Sequence, residues 1–397
     1  MWSSLSEWFW WEKLWLPSNV TWADLEDRDG QVYPHPQDLL AALPVALTLL
    51  ALRFAFDRFI ALPLSYQLGM RDKLRQIAKP IPALERHFIT AGPKPKEAQL
   101  ALLATQCGLT LYQTQRWFCR RRNQDRTPLS KKFCEASWNF TYFLCCFLGG
   151  FSILYHEPWL WRPVMCWDSY PNQPLKPILY RWYLLELGFY ISLLIMLPFD
   201  IKRKDFKDQV AHHFVTIPLM VFTYSCNMLR MAFVVLLLHE CSEILLEACK
   251  MFNYMQYQKV SNVLFIIFAC VFFYTRLVVF PTQVLYSTYY KYIVGRSPYF
   301  GYYFLNWLLM MLQVMHVYWF YLILRMLYSF TLKGKLKDVR SDVEESDSSE
   351  DDMVKKNPPL KSRVAHRPGE TMADGCRNWE ARPQNSVCKS PYPGYGT

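Results

Sequence analysis

The sequence predicts an all-α polytopic membrane protein of about seven transmembrane helices, with one small soluble helical module between the first two. Three observations carry that expectation. Apolar residues make up 52% of the chain and aromatics 17%, against only 19% charged. The apolar residues collect in seven runs, roughly 39–62, 138–155, 179–199, 211–226, 230–249, 263–285 and 303–330. Most are close to the ~20 residues that a bilayer core requires. The segments between the runs alternate between basic and charge-poor, as expected of a chain that crosses one bilayer repeatedly.

In chain order, residues 1–38 hold a Trp-rich stretch, Trp2 to Trp15, broken by charges. It reads as an interfacial aromatic anchor rather than a cleavable signal, so the run 39–62 is expected to act as the signal-anchor. Segment 63–137 carries fourteen Lys and Arg against five Asp and Glu. Loop 200–210 holds Lys202, Arg203, Lys204 and Lys207, and the chain after Phe330 is basic again, whereas 156–178 and 286–302 are poor in charge. The positive-inside rule then places 63–137, 200–210 and the C-terminus in the cytosol and the N-terminus in the lumen. Asn19-Val20-Thr21 is a glycosylation sequon on the lumenal side. A second sequon, Asn139-Phe140-Thr141, falls inside a span and is read as chance. The twelve cysteines are scattered without CxxC pairs and read as apolar filler. The net charge of +11 suits an anionic membrane face or a phosphate-bearing substrate and does not of itself imply nucleic acid.

The soluble module, 63–130, ends in Leu109-Thr110 through Gln113-Thr114-Gln115-Arg116-Trp117-Phe118-Cys119-Arg120-Arg121-Arg122-Asn123. That run resembles the recognition helix of a homeodomain. Homeodomains carry, three residues after the tryptophan, an asparagine that grips adenine through two hydrogen bonds. Arg120 stands there instead. The module is also tethered between two spans, so DNA binding is not expected; its basic face should rest on phospholipid or on the catalytic domain. Six spans follow over 131–332, and a tail over 333–397. In the tail, Ser341-Asp342 through Asp352 is too charged to pack and is expected to be disordered. Ser341, Ser348 and Ser349 each have an acidic residue three positions on, the pattern of an acidophilic kinase site. Each phosphate would add about −1.5 to −2 charge. A plain solubilising tail is the alternative.

Chemistry concentrates in two neighbouring runs. His212 and His213 open one, and His239-Glu240-Cys241-Ser242-Glu243 sits in the next. Ionisable groups at membrane depth are costly and mark functional sites by default. Imidazole beside carboxylate is the unit of acid–base and acyl-transfer chemistry. His239, Ser242 and Glu243 share a helix face at i, i+3 and i+4, where a carboxylate can fix an imidazole's tautomer. The cations Lys202, Arg203, Lys204 and Lys207 form a collar just before His212. They would hold phosphates outside while a fatty chain lies within, and acyl-coenzyme A has that shape. Other uses of the histidines were weighed. A di-iron lipid oxidase needs about eight histidines in HxxxH and HxxHH boxes. This chain has eight in total, of which His35, His87, His156 and His366 lie outside the runs, and no HxxxH occurs. A single zinc on His212, His213 or His239 with a glutamate is a further alternative, but the reading adopted has no metal. His316 is expected to hydrogen-bond between helices. Glu186 and Arg276 either pair with each other or line the substrate cavity.

The run Phe199-Asp200-Ile201-Lys202-Arg203-Lys204-Asp205-Phe206, then His212-His213, Asn227, Leu238-His239 and Leu246-Glu247-Ala248-Cys249-Lys250-Met251, resembles the ceramide synthases. Their catalytic region is the TLC domain with its Lag1 motif. The resemblance covers most of the chain: the aromatic N-terminus, the homeobox-like segment, the TLC region and the acidic serine tail. It implies a TLC-type helical barrel around an acyl cavity. It also implies transfer of an acyl group from acyl-CoA to a sphingoid base at the endoplasmic reticulum, giving dihydroceramide or ceramide, with acyl-CoA as co-substrate and no cofactor. Dimers with itself or with other ceramide synthases are implied as well. The family's histidine pair carries onto His212 and His213, and its next histidine onto His239. There is one departure: the family has aspartates where this chain has Glu240 and Glu243. A displacement of about 1 Å can cost roughly a hundredfold in rate, so a non-catalytic TLC protein that binds or senses sphingolipid is the second reading. Two mechanisms fit the residues. Either His212 forms an acyl-imidazole, or a histidine acts as general base for direct attack by the amine. The loop Tyr289 to Phe300, with Tyr292, Gly295, Arg296, Ser297 and Tyr299, is associated in the family with acyl-chain selectivity. Its plain reading is an aromatic interfacial belt.

Overall fold

An apolar environment offers backbone amides no partner but each other, so long apolar runs fold as helices that close their own hydrogen bonds. The computed structural model describes residues 7–28, 30–70, 77–125, 127–201, 206–294 and 297–333, and its regular structure is helical apart from one bridge between Arg28 and Gln31. Helix α1 spans Ala42–Phe56 and passes through a π-helical turn, Asp57–Ala61, into Leu62–Gln67. Pro63 accounts for the turn: it lacks an N–H, and its ring crowds the carbonyl four residues back. The soluble module follows as α2 (Pro82–Thr90), α3 (Glu97–Gln106) and α4 (Leu111–Asp125). Then come α5 (Leu129–Leu154), α6 (Pro177–Met196), α7 (Phe206–Ser225) and α8 (Leu229–Tyr254). Helix α9, Gln258–Phe272, continues as π-helix over Phe273–Leu285 and Ser287–Lys291, and α10 spans Phe300–Lys333.

Among the described residues, five helical stretches are long and apolar enough to cross a membrane: Pro36–Gln67, Leu111–Leu154, Pro177–Met196, Gln258–Lys291 and Phe300–Leu332. The other two apolar runs of the sequence form α7 and α8. These helices carry Asp208, His212, His213 and Pro218, and Arg230, His239, Glu240, Glu243, Glu247 and Lys250, which dilute their apolar character. Helix α8 packs between α5 and α9, α1 lies on α6, and α7 on α10.

The main core joins Leu154, Tyr183, Phe222, Phe233, Phe280 and Leu308 with Trp15 and Leu16 of the N-terminal segment. Trp15 therefore departs from an interfacial role: its ring stacks on Phe222 at 5.4 Å, while Trp8 and Trp11 stay exposed. Asp38 receives the Tyr224 hydroxyl at 3.0 Å, a second tie between this segment and α7. The soluble module has a small core of its own, with Leu84, Leu100, Leu103, Trp117 and Phe118, and the Trp117 indole donates to the Lys79 carbonyl at 2.6 Å.

Candidate active site

Helices α7 and α8 bring their histidines to one cavity of about 240 Å³. His212, His213, His239, Glu243, Arg276 and Trp319 line it, together with Asp200, Ile201, Gln209, Lys250 and Asn253. A second, apolar slot of about 50 Å³ lies beside it, and His239 and Tyr190 line both spaces.

His239 is held at both ring nitrogens. Its Nδ1 lies 2.7 Å from the Val235 carbonyl oxygen, and its Nε2 lies 2.9 Å from Nε2 of His316. A carbonyl only accepts, so with both rings neutral His239 is protonated on Nδ1 and its Nε2 accepts from His316. His316 then presents a bare Nδ1, which is buried without a hydrogen-bond partner. The interhelical role expected of His316 is thus met, and its partner is a site residue. His212 and His213 differ: the Nδ1 atoms of both are buried and unpartnered. The His212 ring packs edge-on against Trp319 at 5.3 Å and 5.9 Å from His213.

The acidic residues part company. Glu243 accepts from Arg276 Nη2 at 2.6 Å, and the same guanidinium donates to the Ser242 hydroxyl at 2.8 Å and the His239 carbonyl at 3.2 Å. Its face also lies 4.8 Å from the Phe272 ring centroid. Arg276 therefore staples one turn of α8 at the site, and the carboxylate of Glu243 meets a guanidinium rather than an imidazole. Glu240 lies beside Glu186 and does not line the cavity, and among the described residues neither carboxylate finds a hydrogen-bond donor. The pairing of Glu186 with Arg276 is not formed. Orientation of His239 falls to Val235 and His316 instead of Glu240 or Glu243.

Lys202, Arg203, Lys204, Gly295, Arg296, Ser341, Ser348 and Ser349 lie outside the described residues. Lys207 is exposed and does not line the cavity. The loop's near edge is nonetheless anchored. Arg53 of α1 grips Asp200 in a bidentate pair, Nη1–Oδ2 3.1 Å and Nη2–Oδ1 2.6 Å. Burial raises the Asp200 carboxyl above the ordinary carboxylate value, and Arg53 pulls it back. Arg53 went unmarked in the sequence, although a cation in an apolar run is the signal that would have found it. Tyr292 and Tyr299 are buried with their hydroxyls 2.8 Å apart, and Ser297 is exposed. Asn19 is exposed at a positive φ of 75°. The Thr21 N–H and hydroxyl beside it hold Asp24 below the usual carboxylate range. Among the described residues no three His, Cys, Asp or Glu side chains gather as a metal site would need.

The helices that bring these histidines to one cavity are those of a TLC-class membrane protein, for residues 132–325 match the TLC domain. Residues 76–127 match the homeodomain. The chain is 66% identical to ceramide synthase 4 of Homo sapiens over 95% of this chain and 96% of that protein. It is 60% identical to ceramide synthase 4 of Mus musculus, over 94% and 96%, and 43% identical to ceramide synthase 5 of Homo sapiens, over 88% and 90%. It belongs to the ceramide synthase family.

Proposed function

We propose that the protein transfers a fatty acyl group from acyl-CoA to the amine of a sphingoid base, making dihydroceramide or ceramide at His212, His213 and His239. One observation carries this reading: the cavity that holds the three histidines shares His239 and Tyr190 with a neighbouring apolar slot. A thioester with a charged head and an apolar tail needs that order of surfaces. In this reading α7 and α8 also cross the bilayer, giving seven spans that enclose the site in the endoplasmic reticulum membrane. The N-terminus with Asn19 is then lumenal, and the module, loop 200–210 and the tail are cytosolic. Lys202, Arg203, Lys204 and Lys207 hold the CoA phosphates at the mouth. Association as a dimer and phosphorylation at Ser341, Ser348 and Ser349 belong to the same reading.

The unpartnered Nδ1 atoms favour the His212–His213 pair over His239, both of whose nitrogens are engaged, and we take His212 as the nucleophile. A nitrogen of His212 attacks the thioester carbonyl, the C–S bond breaks and CoA leaves as its thiolate. The amine then takes the acyl group from the acyl-imidazole and gives up a proton, which returns the histidine. Water exclusion in the buried cavity protects such an intermediate. In the alternative route a histidine only removes the amine's proton as it attacks the thioester directly. The module is not read as a DNA binder, because Arg121 of α4 is engaged with Glu85 at 2.8 Å and Asp125 at 2.6 Å. Arg122 likewise donates to the Pro93 carbonyl at 3.0 Å.

The test is N-acylation of labelled sphinganine by stearoyl-CoA in membranes that lack endogenous ceramide synthases. The wild type is expected to be active and His212→Ala to lose about 10²–10⁴-fold. An acyl-enzyme trapped without amine, and absent in His212→Ala, selects the covalent route. The departure at Glu240 and Glu243 favours one second reading, a sphingolipid-binding protein without turnover. Silence of the wild type and of the double Glu240→Asp, Glu243→Asp variant at normal expression would select it.

A further inference from the structure

The slot's walls and its far end are built differently. From His239, the α8 residues Leu236, Val235, Ala232 and Met231 follow one another toward the N-terminal end of that helix, and Met228 stands just before it. At ~1.5 Å per residue the helix from Leu229 to His239 spans roughly 15 Å. Helix α7 accompanies it from Thr216 to Thr223, and α10 from Leu309 to Leu305. Three of the lining side chains are methionines, unbranched and easily repacked around a guest. Two lining residues, Met228 and Trp167, lie outside helices α1 to α10. Trp167 stands in the turn between α5 and α6, on the side where α8 begins and α7 ends. It is buried and fixed on several sides. Its indole N–H donates to the Ser287 hydroxyl at 2.7 Å, and its ring meets Tyr292 edge-on at 4.8 Å and Tyr170 at 5.9 Å. Tyr292 does not itself line the slot.

We propose that Trp167 is the stop against which the end of the acyl chain abuts, so that its position sets the longest chain the enzyme accepts. Ser287 and Tyr292 act as positioning residues: they reach the chain only through the indole they hold. The adaptable methionine walls let chains of differing thickness enter, whereas the braced indole at the end meets a chain that is too long with a fixed surface. The inference rests on the proposed acyl transfer and adds where its length selection resides.

The experiment offers membranes of the wild type, Trp167→Ala, Trp167→Phe and Ser287→Ala an equimolar series of saturated acyl-CoAs of increasing length with sphinganine. Product lengths are read by mass spectrometry as ratios within each variant. One methylene in an apolar pocket is worth about tenfold or more in selectivity. The ratio of longer to shorter products should therefore rise by about tenfold in Trp167→Ala, and less in Trp167→Phe and in Ser287→Ala, which frees the indole without removing it. Ratios unchanged from wild type in the active Trp167 variants overturn the stop. If Trp167→Ala fails to accumulate, the ratios of Trp167→Phe and Ser287→Ala decide in the same way. A wild type silent toward every chain length overturns the acyl-transfer reading itself, and is distinguished by the absence of any product.

Discussion

Helices α7 and α8 bury a cluster of polar side chains, whereas the five apolar stretches bury mostly hydrocarbon with single polar residues such as Arg53, Glu186, Arg276 and His316. His213, His239, Glu240 and Glu247 are all buried, whereas the most apolar windows of Pro36–Gln67 and Phe300–Leu332 are only 22% and 28% buried inside the protein. The outer helices meet their surroundings with Leu43, Leu47, Phe54, Trp307 and Tyr321, all exposed. The helices that a bilayer would accept least are shielded by those it accepts best. Ionisable groups at membrane depth persist where a bundle surrounds them and gives them partners. The contrast also shows where those partners come from: Arg276 and His316 project from apolar helices into the polar pair.

The sharpest way to break that contrast is to remove the cation. Arg276→Met leaves Glu243 with no opposite charge and strips the Ser242 hydroxyl and the His239 carbonyl of their donor. Removing one partner of a buried ion pair costs about 3–5 kcal/mol, and the 28% side-chain exposure of Glu243 places this case nearer about 2–3 kcal/mol. The expected outcome is faster thermal inactivation in detergent, with activity lost alongside. Adding Glu243→Gln should restore much of the stability, because the stranded charge is gone. A double variant no more stable than Arg276→Met would show that the guanidinium serves α8 chiefly through Ser242 and the His239 carbonyl.

His316 tests whether an apolar helix supplies chemistry as well as shelter. His316→Phe removes the donor to His239 Nε2 and leaves that nitrogen unsatisfied, at a cost of about 1–3 kcal/mol. Turnover should fall by roughly tenfold, and the pH dependence of kcat/KM should move because His239 is released. His316→Gln, which keeps an N–H donor, should recover most of the rate and the original profile. Equal losses in both variants with an unmoved profile would reduce His316 to packing.

Much of this division was legible before any coordinates. Hydrophobic runs bear on helix content and survive averaging over many residues. His212, His213, His239 and Glu243 converge because adjacent antiparallel helices place like depths together. Partner choice was not legible. Glu243 and Glu240 are three residues apart, yet one turns to Arg276 of the π-helical stretch and the other to Glu186 of α6. Helical spacing puts side chains on a face, but it does not say which neighbour occupies that face. The winding of Phe273–Leu285, which sets where Arg276 points, has no periodic signature in the sequence. Trp15 was misread for a related reason: an aromatic in a Trp-rich stretch is equally suited to an interface and to a core, and only tertiary contact separates the two.

The soluble module is the other pole of the comparison, since its charges sit at the surface where water competes for them. Arg121 joins α4 to α2 through Glu85, with side-chain exposures of 21% and 34%, and lies over the Phe88 ring at 4.8 Å. Exposed pairs contribute about 0.2–1 kcal/mol and a wet cation–π contact about 0.5–1 kcal/mol. Arg121→Ala should therefore loosen the module by about 1 kcal/mol, seen as faster amide hydrogen exchange confined to α2 and α4 of the full-length protein. N-acylation should be untouched, because the hydrophobic core around Trp117 and Phe118 still holds the three helices. If the same substitution slows acylation, the module acts on the bundle through its basic face, and the line drawn here between a sheltered catalytic interior and a separately stable exterior has to be moved to include α4.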